Sequence, residues 1–112
     1  ALMARGDFSK TDFKEAQLSK VYGEGAKFDG ADFTNGVIDR AYFKDASFKG
    51  AKFNNAVLSG TNLGEADLEN TDFTEAYLGD FDQRKLCKNP TLKGEHPTTG
   101  APTRESAGCV SK

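Results

Sequence analysis

One histidine, two cysteines and seventeen carboxylates are the residues of this 112-residue chain whose types could carry chemistry. General acid–base catalysis needs a histidine or carboxylate poised beside a reacting group. His96 sits between Glu95 and Pro97 in a stretch rich in Gly, Pro and Thr, with no nucleophile pattern around it, and reads as a surface residue. Asp12, Asp32 and Asp72, each directly before a large apolar residue, read as formers of a wall and its turns rather than as acid–base pairs. A convex wall has no pocket in which to shift their titration. Cys87 and Cys109 match no zinc or redox spacing, and a metal would need more ligands. A disulfide is the natural reading of the pair, against two free thiols. It would close a loop of about twenty residues, stabilise by roughly 3 kcal/mol in the chain-entropy model, and point to an oxidising compartment. No glycine-rich phosphate loop, zinc motif or nucleophile elbow occurs. The expectation is a chain that is not an enzyme and carries no cofactor and no metal.

The element that positions these residues is a repeat. Every fifth residue is large and apolar: Met3, Phe8, Phe13, Leu18, then Phe28, Phe33, Ile38, Phe43, Phe48, Phe53, Leu58, Leu63, Leu68, Phe73 and Leu78, with Gly23 the one interruption. Two residues before each lies a small or nearly small one, from Ala1 and Gly6 through Ala26, Ala31, Ala51 and Ala56 to Thr71 and Ala76. A period of five is neither the two of a strand nor the 3.6 of a helix, and a fixed short period over most of a chain marks a solenoid. Triplets such as Ala31-Asp32-Phe33 and Ala66-Asp67-Leu68 resemble the A-(D/N)-(L/F)-x-x signature of the pentapeptide-repeat family. That resemblance covers residues 1–80. It implies an all-β solenoid, a right-handed quadrilateral β-helix in which four units make one coil, and hence about four coils here.

Sorting the large residues by four tests that coil length. One column is Phe13, Phe33, Phe53, Phe73; another is Leu18, Ile38, Leu58, Leu78; a third is Phe8, Phe28, Phe48, Leu68. Like stacks mostly on like, at the strand spacing of about 4.8 Å, so the rings can stack with offset. The fourth column, Met3, Gly23, Phe43, Leu63, holds the interruption. Val21, large for its small position, either conserves volume against Gly23 or belongs to a local bulge over residues 21–25.

The formal net charge of −2 conceals an uneven distribution. Residues 61–80 carry Glu65, Asp67, Glu69, Asp72, Glu75 and Asp80 and no Lys or Arg; the tail beyond carries Arg84, Lys85, Lys88, Lys93, Arg104 and Lys112 against three acids. Charge matching would dock the tail on the last coil; the alternative is an acidic binding surface. No basic stripe with interleaved aromatics exists, so nucleic acid is not an expected partner. No apolar stretch is long enough for membrane insertion as a helix. The chain enters in repeat register at Ala1, as a processed or trimmed form would.

The open end of a solenoid needs a cap. Asp80 followed by Gln83 suggests a capping box opening a short helix through about Lys88, stopped by Asn89-Pro90, with Phe81 and Leu86 covering the end of the core. Thr103 suggests the cap of a final turn ending at Gly108. The division is therefore residues 1–80, repeat solenoid, and residues 81–112, a short α-helical, disulfide-linked cap and tail. Asp82-Gln83-Arg84-Lys85-Leu86-Cys87 through Gly108-Cys109 is similar to the C-terminal region of thylakoid-lumenal pentapeptide-repeat proteins of plants and cyanobacteria, which implies a lumenal location.

The residue just before each large one faces outward. Sorted by four, these give Gln17, Val37, Val57, Tyr77 on one side and Leu2, Tyr22, Tyr42, Asn62 on the next; the other two sides are polar. Tyr22, Val37, Tyr42, Val57 and Tyr77 thus form a candidate contact face for an unidentified protein partner, the alternative being packing across neighbouring strands. The expected function is a non-catalytic protein-interaction or structural module. An acidic mimic acting through residues 61–80, or a cap that responds to redox, are the alternatives.

Overall fold

A small residue, an outward residue and a large residue in succession make one side of each coil, and the two residues that follow make the corner. The computed structural model describes residues 3–109. Ala1 and Leu2, which head the small and outward columns, and Lys112, counted with the basic tail, lie outside them. Parallel bridges join residues twenty apart on four faces: Asp7, Lys27, Ser47 and Asp67; Asp12, Asp32, Lys52 and Asp72; Gln17, Val37, Val57 and Tyr77; and Tyr22, Tyr42 and Asn62. The coil length and the membership of each face follow the column sorting. Each face contributes one bridged residue per coil, so among the described residues the walls hold isolated bridges rather than extended strands.

The corners explain the fourth and fifth positions. Ala16 N–H donates to Phe13 O at 3.0 Å while Glu15 sits at φ 61°, the pattern of a type II turn. Lys, Arg, Glu, Asp and Asn fill that left-handed position at ten corners and glycine at only four, a conformation uncommon for such residues. Outward Asp and Asn side chains brace many of these corners: the N–H two residues ahead donates to Asp7 at 3.1 Å, Asp12 at 2.9 Å, Asp32 at 2.9 Å, Asn62 at 2.9 Å and Asp72 at 2.9 Å. These are Asx turns, so the aspartates do build the wall and its corners.

The interior is a set of ring stacks. Phe13–Phe33 and Phe33–Phe53 each lie 5.0 Å apart within 3° of parallel, and Phe53–Phe73 continues at 4.9 Å and 6°. Phe8–Phe28 and Phe28–Phe48 stack at 5.4 and 5.0 Å. The core is buried from Val21 to Phe73, whereas Met3, Phe8, Phe13 and Leu18 at one end and Ala76 and Leu78 at the other are only partly buried. At Gly23 the ladder is unbroken, with Gly23 N–H donating to Tyr42 O at 2.8 Å, so there is no bulge. Both Val21 and Gly23 are buried, and the ring of Phe43 fills the place of the missing side chain.

Two helices close the C-terminal end: α1, Asp80–Cys87, and α2, Thr103–Ser106. The capping box does not form. Gly79 is the N-cap of α1, Asp80 lies inside the first turn, and Gln83 turns its amide to Ala107 O at 3.0 Å instead. Asp80 and Asp82 at the start and Arg84 and Lys85 near the end suit the helix dipole. Thr103 does not cap α2 either; Pro102 does, and the Thr103 hydroxyl donates to Thr71 O at 2.8 Å. The helix ends as expected at Gly108, φ 79°. Gly108 N–H bonds to Glu105 O and Cys109 N–H to Arg104 O, the paired bonds of a Schellman motif.

Leu86 and Leu92 are buried over the last coil, but Phe81 is 65 % exposed and does not cover it. Residues five apart on a helix point about 140° apart, so Phe81 and Leu86 cannot both face the core. Among the described residues no helix is long and apolar enough to cross a membrane.

Candidate interaction surface and cap

The outward apolar residues lie where the repeat puts them. Tyr77 is 60 % exposed, Tyr22 53 % and Tyr42 40 %, while Val37 and Val57 are half-buried between neighbours in their column. The parallel bridges Val37–Val57 and Val57–Tyr77 make one apolar column, and Tyr22–Tyr42 starts the other. Between the two runs a polar corner: Ser19 donates to Asp39, Arg40 Nε lies 3.0 Å from Asp39 Oδ2, and Gly60 N–H donates to Asp82 at 2.8 Å. The Ser19 hydroxyl first, and Arg40 after it, hold the Asp39 carboxyl below its ordinary value despite some desolvation. Phe81, four residues beyond Tyr77, adds a further exposed ring, with Lys85 Nζ 5.5 Å from its centroid. The outward columns contain no hint of it, because the repeat has ended; its angle to Leu86 on α1 is the signal that would have found it.

The six acids of residues 61–80 do not form one surface. Glu65, Glu75 and Asp80 are exposed, Asp67 and Glu69 are half-buried, and Asp72 is 1 % exposed. Asp67 is 3.5 Å from Lys49 on the coil above. Asp72 accepts from Thr74 N–H at 2.9 Å, the Thr74 hydroxyl at 2.6 Å, the Thr99 hydroxyl at 2.8 Å and the Asn54 amide at 3.3 Å. Burial pushes its carboxyl up, and those four donors together hold it below the ordinary value. A carboxylate so enclosed is part of the cap, not of a binding surface.

Among the described residues the tail is not docked by charge matching: no ion pair joins the acids of 61–80 to the tail cations. Hydrogen bonds do the docking. Asn89, 4 % exposed, donates its amide to Leu63 O and Ala66 O, each at 2.8 Å. Leu68 N–H donates to the Thr91 hydroxyl at 2.9 Å, Asn70 N–H to Lys93 O at 2.9 Å, and Phe73 N–H to the Ser106 hydroxyl at 2.9 Å. These replace the partners that a further coil would have supplied.

His96 is the clearest departure from expectation: it is 4 % exposed, not on the surface. Its Nδ1 accepts from Thr98 N–H at 3.1 Å and Thr99 N–H at 3.2 Å, and its backbone closes the same loop, with His96 N–H on Ala101 O and Gly100 N–H on His96 O, each at 2.9 Å. Isolated polar context hid this burial, which depends on a loop folding back over the last coil.

Cys87 and Cys109 form a disulfide with their Cα atoms 5.6 Å apart. It ties the end of α1 to the third residue beyond α2, alongside Arg104 Nη1 on Cys87 O at 3.0 Å. Cys87 is half-buried and Cys109 is buried, beside an open cleft of about 500 Å³ lined by Arg84, Lys88 and Arg104 among others. Among the described residues no three His, Cys, Asp or Glu side chains converge as metal ligands would.

Comparison with known proteins bears on this geometry. The family model described as pentapeptide repeats matches in eight copies over residues 7–45 and 41–80. A solved pentapeptide repeat protein from the thylakoid lumen of Arabidopsis thaliana is similar at 25 % identity and a TM-score of 0.63, over 97 % of this chain and 88 % of that one. HetL, a pentapeptide repeat protein involved in heterocyst differentiation regulation from the cyanobacterium Nostoc sp. strain PCC 7120, aligns at 24 % identity and a TM-score of 0.41, over 69 % of this chain and 40 % of that one. No curated protein matches.

Proposed function

This chain belongs to the pentapeptide-repeat family, and on that premise we propose that it is a non-catalytic protein-interaction module of the thylakoid lumen, contacting an unidentified protein through Tyr22, Val37, Tyr42, Val57 and Tyr77. Family membership also supports the finer description of its solenoid as a right-handed quadrilateral β-helix. The observation that carries the contact face is the exposure of three tyrosines, 53, 40 and 60 %, on two adjoining faces that also carry Val37 and Val57, the other two faces being polar. Tyrosine suits such a role because it offers a large rigid apolar body with a polar tip. The lumenal location is supported by the similar Arabidopsis protein and by the disulfide, which belongs to an oxidising compartment.

The test is capture from thylakoid lumen extract by the wild type and by a Val37→Ser, Val57→Ser, Tyr77→Ser variant, both verified as folded by circular dichroism. A protein held by the wild type in moderate salt and released by the variant supports the face. Equal retention removes it. The acidic alternative would show binding that weakens strongly with added salt; the burial of Asp72 and the pairing of Asp67 with Lys49 leave it Glu65, Glu75 and Asp80, with Glu69 half-buried. The redox alternative draws on the half-buried Cys87 beside its cation-lined cleft, and requires reductant to alter partner capture.

A further inference from the structure

His96 lies outside the contact face and has no catalytic company, yet its placement is specific. Its Nδ1 accepts two backbone N–H groups at 3.1 and 3.2 Å, so the ring proton must be on Nε2 and the imidazole must be neutral. Among the described residues Nε2 is buried without a hydrogen-bond partner, so no direct contact compensates a positive charge on the ring. The loop it closes supplies the Thr99 hydroxyl that donates to Asp72 at 2.8 Å. We propose that His96 is an acid-operated latch of the C-terminal cap: neutral, it holds the turn at Thr98 and Thr99 closed; protonated at Nδ1, it releases that turn and withdraws Thr99 from Asp72.

The step needs only a proton from solvent. A proton on Nδ1 turns an acceptor into a donor facing two donors, and the ring must leave them. The charged groups on the surrounding elements are Lys52 and Asp72 on the second face, Lys93 and Glu95 on the approach to the loop, and Arg104 and Glu105 in α2. Asp72 is the one tied to the loop, through Thr99. Its four donors keep it ionised well below the histidine range, so it does not titrate in the same window. Opening uncovers a carboxylate that is buried when the latch is closed, changing the surface of the last coil.

The experiment uses the full oxidised chain, labelled with nitrogen-15. At pH 7.5 the imidazole should show a bare Nδ1 and a protonated Nε2. Between pH 7.5 and 5 the amide signals of Thr98, Thr99 and Gly100 should move to a second state as Nδ1 gains its proton, with those of Val37 and Phe48 unmoved. One proton drives the step, so the open fraction should rise by up to about tenfold per pH unit once below the ordinary histidine range. His96→Asn supplies an oxygen that accepts the same two N–H groups as an Asx turn does and cannot titrate, and its loop should stay closed at pH 5. A protonated Nδ1 at pH 7.5, protonation without movement of the loop amides, or the same acid response in His96→Asn would each overturn the latch. The wild-type spectra decide the matter even if the variant folds poorly.

Discussion

The ring of Phe43 occupies the space that a side chain at Gly23 would need: a β-carbon there would lie 2.7 Å from Phe43 Cε1 and 2.8 Å from Cδ1. Phe43 cannot easily withdraw, because it meets Phe28 edge-on at 5.6 Å and Phe48 at 4.9 Å. The one gap in the repeat of large residues is therefore filled from the next coil. Gly23→Ala should lower stability by about 1–3 kcal/mol through overpacking, read from denaturant unfolding followed by circular dichroism. Gly23→Ala combined with Phe43→Leu should cost less than the sum of the two single changes. Additivity of the two changes would show that the sites do not share this space.

How much of this was legible depended on repetition. Phe13, Phe33, Phe53 and Phe73 declare their column because four residues make the same statement, and the coil length, the four faces and the buried core follow from such columns. The tail makes each of its statements once. Asn89, Thr91 and Ser106 look like loop polar residues, and only the folded cap shows that they stand in for the partners of a missing coil. The burial of His96 and Asp72 is hidden for the same reason: it is created by a loop returning from thirty residues away or less, not by a local pattern. Gln83 matched the spacing of a capping box, but a tertiary acceptor at Ala107 outcompeted the local one.

Asn89 should be the most costly polar residue of the cap to change. Its amide donates to two carbonyl groups of the last coil, Leu63 O and Ala66 O, where no further coil can reach them. Asn89→Ala should destabilise by about 2 kcal/mol, the usual scale for losing buried hydrogen bonds: Leu63 O and Ala66 O keep only Ala66 N–H at 3.4 Å and the Thr91 hydroxyl at 3.2 Å, and Thr91 N–H loses its acceptor. Asn89→Asp should be worse, since it sets a carboxylate against two carbonyl oxygens. Thermal unfolding of the three proteins ranks them, and an aspartate variant as stable as the wild type would remove these bonds from the account.

Asp72 should set the acid limit of the cap. Its carboxyl titrates lower in the folded chain than its ordinary 3.8, burial being outweighed by Thr74, Thr99 and Asn54. The sign follows: it contributes stability above 3.8 that is lost as pH falls through the lower folded value. Stability measured from pH 6 down to pH 2 should therefore fall at the acid end in the wild type. Asp72→Asn should be less stable at pH 6 and show a flatter acid limb. An acid limb as steep in the variant would assign the loss to other carboxylates.

The disulfide should matter to the cap more than to the coils. Cys87 and Cys109 are separated by 22 residues, and a bond closing a loop of that size contributes roughly 3 kcal/mol in the chain-entropy model. Replacing both with alanine removes the covalent tie between α1 and the end of α2, leaving Gln83 on Ala107 O and Arg104 on Cys87 O as polar links. The loss should appear first in hydrogen exchange, with amides of Ala107 and Cys109 exchanging faster than those of Phe33 and Val57, whose bonds lie within the coils. Because the cap supplies the N–H and C=O partners of the last coil, Leu68 and Phe73 amides should follow before the earlier coils do. Uniform loss of protection along the whole chain would instead make cap and solenoid one cooperative unit, and the bond a brace for all of it.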